Sequence, residues 1–158
     1  MKNLYIMCGI PGSGKSTWIK KQLEQKPGVW CSRDKVRFSI ITDQDAYFSK
    51  EDEVFNKWVG EIQAALNNPE GPDDVYADAT HVNEVSRNKI LNRLNVTNVN
   101  LKAVNFIIPL EVCQARNLER SGRSVVPAAV IEDMYRTFIP ATAEEKNGRF
   151  KEIITVGV

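Results

Sequence analysis

The chain has 158 residues, a formal net charge of +1 and three cysteines. This length suits one α/β domain with a full hydrophobic core and leaves no room for a second large catalytic domain. The balanced charge gives no general electrostatic case for nucleic-acid binding. Three widely spaced cysteines beside one histidine argue against disulfide and zinc frameworks, so we expect a cytoplasmic protein. No segment approaches the roughly 18 apolar residues that span a membrane, so we expect a soluble, unprocessed chain with no membrane partner.

The first predicted elements enclose a glycine-rich loop. Residues 4–8 form an apolar run that predicts a buried strand, and residues 17–25 predict a helix. Between them, residues 9–16 (GIPGSGKS) match the phosphate-binding pattern G-x-x-x-x-G-K-[ST]. Such a loop directs backbone N–H groups at phosphates, and its lysine and serine supply a charge and a Mg²⁺ ligand. The sequence therefore predicts nucleoside triphosphate binding. The predicted binding residues of this loop are Gly12, Ser13, Gly14, Lys15, Ser16 and Thr17, with Ser16 as the metal ligand.

The remaining predicted elements alternate between strands and helices. Strands are predicted at residues 29–31, 75–77, 101–108 and 151–156, and helices at 33–38, 51–66, 84–94, 111–120 and 127–138. Residues 67–74 contain two prolines and a glycine and predict a loop. This alternation, with several nearly continuous apolar strands, predicts a parallel sheet with helices on both faces. We expect one three-layer α/β domain spanning residues 1–158.

Polar residues follow the second predicted strand, where ligands of open parallel sheets bind. Asp34 is flanked by cations, and Arg37 lies three residues further on, on the same helix face. Asp34 is suited to deprotonate an acceptor hydroxyl, and Arg37 to hold an acceptor phosphate. The alternative is that Asp34 caps the helix and the basic side chains are solvated.

A second polar segment, residues 78–83 (DATHVN), follows the third predicted strand. Asp78 is suited to support the Mg²⁺ shell, or to orient Ser16 or Thr80 by a hydrogen bond. The alternative is a turn that ends in a helix cap. His81 has no sequence partner, so we expect it in a surface or capping role.

A third polar segment, residues 116–123 (RNLERSGR), opens a predicted lid at approximately residues 116–127. Arginines on a lid neutralise charge on a transferred phosphoryl group. The alternative is a solvated helix end with cations favoured by the helix dipole. The three tryptophans, Trp18, Trp30 and Trp58, are expected to be packing residues.

The chain resembles the P-loop kinase module of the polynucleotide 5′-hydroxyl kinases, of the phage polynucleotide kinase-phosphatase type. Five blocks carry the likeness in the expected order: GIPGSGKSTW at 9–18, SRDKVR at 32–37, DATHVN at 78–83, RNLER at 116–120, and VP at 126–127 followed by MY at 134–135. The resemblance implies a P-loop NTPase fold with a helical lid, and ATP with Mg²⁺ as cofactors. It implies that Asp34 is the general base on the 5′-hydroxyl, that Lys15 holds the ATP phosphates and that Arg37 grips the acceptor's 3′-phosphate.

The lid block leaves two residues open for the arginine on the donor phosphates. The resemblance assigns Arg120, but the segment between Arg120 and Val126 is one residue longer than expected, so Arg123 is the alternative. The phosphatase signature Asp-x-Asp-x-Thr that often accompanies this kinase does not occur in the sequence, so healing of 3′ ends is not predicted.

The leading hypothesis is therefore an ATP-dependent kinase that phosphorylates the 5′-hydroxyl of an RNA or DNA end or of a 3′-nucleotide. Its catalytic residues are Asp34, Lys15 and Arg120, and its substrate-binding residues are Arg37, Asp78 and Thr80. The alternative is a small-molecule kinase of the same fold, acting on a nucleoside, nucleotide, sugar or antibiotic. A third hypothesis is a nucleotide-dependent switch or ATPase subunit whose only phosphoryl acceptor is water. The chain has no Asn-Lys-x-Asp base-reading motif, which argues against a guanine-nucleotide switch. We hypothesise a separate end-sealing ligase as a partner, and the oligomeric state stays open.

Overall fold

The computed structural model describes residues 1–122 and 125–157, and within them five strands form one parallel sheet in the order β2-β3-β1-β4-β5. The strands are Lys2–Cys8 (β1), Gly28–Ser32 (β2), Asp74–Asp78 (β3), Val99–Ile107 (β4) and Glu152–Gly157 (β5). The central strand β1 places Leu4 beside Val75 of β3 and Leu101 of β4. The predicted parallel sheet is confirmed.

Helices connect the strands. They are Lys15–Gln25 (α1), Arg33–Ile40 (α2), Glu51–Leu66 (α3), Glu84–Leu91 (α4), Leu110–Leu118 (α5) and Ala128–Thr137 (α6), followed by a short 3₁₀ turn at Glu145–Asn147. In the described part of the chain, no helix is both long and apolar enough to cross a membrane.

Alternate side chains of β1 enter different halves of the core, as expected for a strand. Leu4 and Ile6 pack in a cluster with Trp58 of α3, whereas Met7 packs in a second cluster with Ile19 of α1. Six large apolar residues of α3 recur at helical spacing and are all buried: Val54, Phe55, Trp58, Val59, Ile62 and Leu66. Helices therefore cover both faces of the sheet, as predicted.

Helix and strand ends differ from the prediction where local hydrogen bonds decide them. The predicted loop 67–74 ends one residue early, because Asp74 is buried in β3 and accepts a hydrogen bond from Asn3. The predicted helix 84–94 ends at Leu91, and 111–120 ends at Leu118. In both cases i→i+3 hydrogen bonds replace helical ones, for example Arg120 N to Asn117 O at 3.1 Å. Arg120 therefore lies beyond the end of α5.

Candidate active site

The loop between β1 and α1 has the backbone of a phosphate cradle. Gly12 has φ 83° and Gly14 has φ 98°, in the left-handed region that favours glycine. A Cβ on Gly12 would lie 2.4 Å from the carbonyl oxygen of Cys113, so the close approach of α5 also requires glycine there. The first N–H groups of α1 have no acceptors within the helix and carry its positive dipole end. The residues present therefore fit a polyphosphate.

Lys15 projects from the start of α1 into this cradle. Its Nζ donates to the carbonyl oxygens of Gly9 at 2.9 Å and Ile10 at 3.1 Å. Burial lowers the pKa of Lys15, while the nearby Asp78 carboxylate acts in the opposite direction. The next residue, Ser16, is exposed beside it and supplies the hydroxyl that would hold Mg²⁺.

Two cavities meet at this loop. The first, of about 290 Å³, lies between the loop, α2 and the end of β3, and the second, of about 330 Å³, lies between the loop and the end of α5. Predicted site residues that line the first cavity are Lys15, Ser16, Asp34, Arg37, Asp78, Thr80 and Arg120. Those that line the second are Gly12, Gly14, Lys15, Ser16, Thr17 and Arg120. The structure thus brings together residues from four separate sequence blocks.

Asp34 lies in the first turn of α2 with its side chain 53% exposed. The cap of this helix is Ser32, whose Oγ accepts from the backbone N–H of Lys35, so the capping alternative for Asp34 is wrong. Asp34 Oδ1 accepts hydrogen bonds from Arg37 Nη1 and from the Tyr47 hydroxyl, the latter at 3.0 Å. In the described part of the chain Oδ2 has no hydrogen-bond partner. One carboxylate oxygen is anchored by hydrogen bonds, and Asp34 lines the first cavity.

Arg37 is 5% exposed and already has protein partners. Its Nε and Nη2 donate to the two carboxylate oxygens of Glu51 at 2.8 and 2.7 Å. Burial acts in the opposite direction, but the hydrogen bonds to Glu51 and the nearby charge of Asp34 raise the pKa of Arg37. The predicted placement of Asp34 and Arg37 on one helix face is confirmed. Their direct hydrogen bond and the contacts with Glu51 and Tyr47 were not identified from the sequence.

Asp78 lies at the end of β3 and is 8% exposed. Its Oδ2 accepts a hydrogen bond from Trp30 Nε1 at 2.8 Å, a partner different from the predicted Ser16 or Thr80. Burial raises the pKa of Asp78, and the charge of Lys15 opposes this shift. Trp30 therefore has a polar role in the site in addition to packing.

The other two tryptophans are packing residues, as predicted. Trp18 contacts Tyr76 and Phe106 edge-on, and the fully buried Trp58 donates to the carbonyl oxygen of Cys31.

The expectation of a surface or capping role for His81 is wrong. His81 is 4% exposed, and its Nδ1 lies 2.6 Å from the Met7 carbonyl oxygen, which only accepts, so Nδ1 donates. Burial lowers the pKa of His81 to about 3. The cap of α4 is Asn83 instead, whose side chain accepts from the N–H of Ser86. His81 anchors the loop after β3 to the end of β1.

The predicted lid begins on α5 and contacts the phosphate loop. Arg116 Nη1 donates to the Gly12 carbonyl oxygen at 3.2 Å, and Arg116 lines the second cavity together with Arg120. Asn117 fixes the far end of the segment, because its side chain bonds both the N–H and the carbonyl of Val126. The alternative lid residue, Arg123, lies outside the described residues. Arg116 was not among the predicted binding residues, although its spacing of four from Arg120 indicated a shared helix face.

A family model described as an AAA domain matches residues 4–141. The chain belongs to this AAA domain family. The matched range contains the phosphate loop, α2, the loop after β3 and the lid segment, so all the site residues of this AAA domain lie within it.

Several solved proteins, kinases among them, share the fold of this AAA domain. A fungal RNA kinase matches with TM-score 0.63 and 16% identity over 98% of this chain and 74% of that chain. A chain of the Pnkp1/Rnl/Hen1 RNA repair complex matches with TM-score 0.72 and 22% identity over 92% of this chain, which spans half of that chain (50%). A sugar kinase from Janibacter sp. HTCC2649 matches with TM-score 0.65 and 16% identity over 99% of this chain and 85% of that chain. The fold is that of a P-loop kinase, and this fold serves more than one class of acceptor.

Proposed function

We propose that this protein is an ATP-dependent kinase that transfers the γ-phosphoryl group to the 5′-hydroxyl of a polynucleotide or of a 3′-nucleotide. The observation that carries the proposal is the position of Asp34. A half-exposed carboxylate with one anchored oxygen lines the same cavity as Lys15 and Ser16 of the phosphate loop. The proposal puts the acceptor hydroxyl at Asp34 and the donor phosphate at the phosphate loop, in one cavity, because phosphoryl transfer depends mainly on such positioning.

The chemical step uses few protein groups. Asp34 Oδ2 takes the proton of the acceptor hydroxyl as the acceptor oxygen forms a bond to the γ-phosphorus. The bond between that phosphorus and the β–γ bridging oxygen breaks, and ADP leaves with the electron pair. Lys15, Arg116 and Arg120 hold the donor phosphates. Ser16 would hold Mg²⁺, which when bound would neutralise part of the negative charge of the polyphosphate.

The choice of acceptor is supported by the order of the five sequence blocks, and by an RNA kinase and a chain of an RNA repair complex among the proteins of the same fold. One observation favours a second candidate, a small-molecule kinase. Arg37 is already paired with Glu51, so it does not need an acceptor phosphate to satisfy its charge. A sugar kinase also has this fold. A separate ligase that seals the phosphorylated end is proposed as a partner only if the acceptor is a polynucleotide, and not for a small-molecule kinase.

The test is transfer of labelled γ-phosphate from ATP to four acceptors: a 5′-hydroxyl oligonucleotide, a 3′-nucleoside monophosphate, a nucleoside and a sugar. Asp34→Asn keeps the shape of the side chain but removes the base, so we expect kcat to fall by about a hundredfold or more. Asp52→Asn is the matched control, because Asp52 is exposed on α3 and does not line the first cavity. Transfer to the sugar but to neither nucleotide acceptor would replace the proposal by the second candidate.

A further inference from the structure

An exposed aromatic ring lines the cavity that contains Asp34, and the proposed transfer step does not use it. Phe48 is 44% exposed in the segment between α2 and α3. A single exposed apolar side chain on a protein surface needs no explanation. This one differs because it shares a cavity with the residue proposed to activate the acceptor.

Contacts place the Phe48 ring beside the reacting groups. Its neighbour Tyr47 donates to Asp34 Oδ1 at 3.0 Å, and the centroids of the Tyr47 and Phe48 rings are 4.5 Å apart, edge to face. The guanidinium carbon of Arg37 lies 5.4 Å from the Phe48 ring centroid and 4.6 Å from that of Tyr47. Tyr47 and Arg37 therefore each contact both the Phe48 ring and the Asp34 carboxylate.

The apolar part of the cavity wall suits a flat heterocycle. In addition to Phe48, the apolar side chains of Val126 and Met134 line this cavity. A polar acceptor such as a sugar is held mainly by converging hydrogen-bonding groups, whereas a base is held by stacking on an aromatic face. The charged groups near Phe48, Asp34 and Arg37, already bond to each other and to protein partners.

We propose that Phe48 is a stacking platform for the nucleobase of the acceptor nucleotide whose 5′-hydroxyl Asp34 deprotonates. This inference rests on the proposed function and narrows it, because it makes the base adjacent to the reacting hydroxyl a determinant of acceptor choice. Stacking depends on the π-face of a base and not on its hydrogen-bonding edges, so the Phe48 platform accepts all four bases.

The experiment compares two acceptors that have the same hydroxyl and 3′-phosphate: deoxyadenosine 3′-monophosphate and the abasic tetrahydrofuran 3′-phosphate. Wild type should use the base-bearing acceptor with a kcat/KM at least about tenfold higher, because stacking on one aromatic side chain contributes about that factor. Phe48→Leu should remove most of this preference by raising KM for the base-bearing acceptor alone. Phe48→Trp should retain it. Val85→Ala is the control, since Val85 is 76% exposed on α4, outside the cavity.

The outcomes separate this inference from the proposed function. Equal kcat/KM for the two acceptors in wild type, or an equal loss for both in Phe48→Leu, overturns the stacking platform and leaves the 5′-hydroxyl kinase intact. Equal kcat/KM for the two acceptors in wild type overturns the stacking platform even where Phe48→Leu does not fold. Transfer to neither acceptor, with transfer to a sugar, overturns both proposals.

Discussion

His81 makes the stability of the fold depend on pH. Its pKa is about 3 in the folded protein against an ordinary value of 6.5, so between these values the unfolded chain binds a proton that the folded chain does not. Stability therefore rises with pH across this window and is lost as the pH falls below about 6.5. We expect the free energy of unfolding to decrease by about 2 kcal/mol between pH 7 and pH 5 from this residue, as measured by urea unfolding.

His81→Asn isolates this contribution, because the chain contains one histidine. Position 81 has φ 41°, and asparagine tolerates the left-handed region well. The raised pKa of Asp78 has the opposite effect on stability. Its carboxyl binds a proton more tightly in the folded protein than in the unfolded chain, so its contribution to the free energy of unfolding falls as pH rises. The informative quantity is therefore the difference in pH dependence between wild type and His81→Asn. Identical dependence in the two proteins would contradict the buried neutral histidine.

At the scale of elements, Glu51 joins the start of α3 to α2. It accepts two hydrogen bonds from Arg37 and one from Arg33 at 3.2 Å, and its side chain is 25% exposed. Glu51→Gln leaves the buried Arg37 guanidinium with an amide that presents its own donors. We expect the free energy of unfolding to fall by about 2 kcal/mol. This lies between the cost of breaking an exposed ion pair and the cost of breaking a fully buried one. The same change should lower kinase activity, because Arg37 orients Asp34.

Glu53→Gln provides the matched comparison for this prediction. It makes the same charge change in the same first turn of α3, but Glu53 is exposed and no ion pair to it is formed in the described part of the chain. Its effect on urea unfolding should stay below about 0.5 kcal/mol. Equal effects of the two substitutions would mean that Glu51 acts only through the helix dipole.

At the scale of the whole molecule, sequence periodicity predicts elements better than it predicts their contacts. The bounds of α3 were predicted correctly, because its apolar residues recur at helical spacing over 16 residues. The positions of site residues were predicted where a local pattern marks them, as at Lys15, or where two residues share one helix face, as at Asp34 and Arg37. Contacts between elements leave no such pattern: Trp30 reaches Asp78 across 48 residues of sequence. The tertiary partners of the site were therefore missed.

Arg87 is a tertiary contact of this kind that joins distant parts of the chain. Its guanidinium, on α4, is fully buried and donates to the carbonyl oxygens of His81 and Ile139, each at 3.0 Å, and to the Glu145 carboxylate at 2.7 Å. Arg87→Met leaves Glu145 buried without its main counter-charge and two carbonyls without donors. We expect a loss of about 3–5 kcal/mol in the free energy of unfolding by urea.

Two further variants decide whether the buried charge is the cause. Arg136→Met removes an arginine from an exposed pair with Asp133 and should cost less than about 1 kcal/mol. The double substitution Arg87→Met with Glu145→Leu should be less damaging than Arg87→Met alone, because no carboxylate then stays buried without a partner. The recovery should be partial, since the substitutions also leave Arg149, 3.8 Å from Glu145, without that carboxylate. A double variant that is no more stable than Arg87→Met would show that the lost carbonyl hydrogen bonds, rather than the ion pair, hold the loop after β3 to the C-terminal part of the fold.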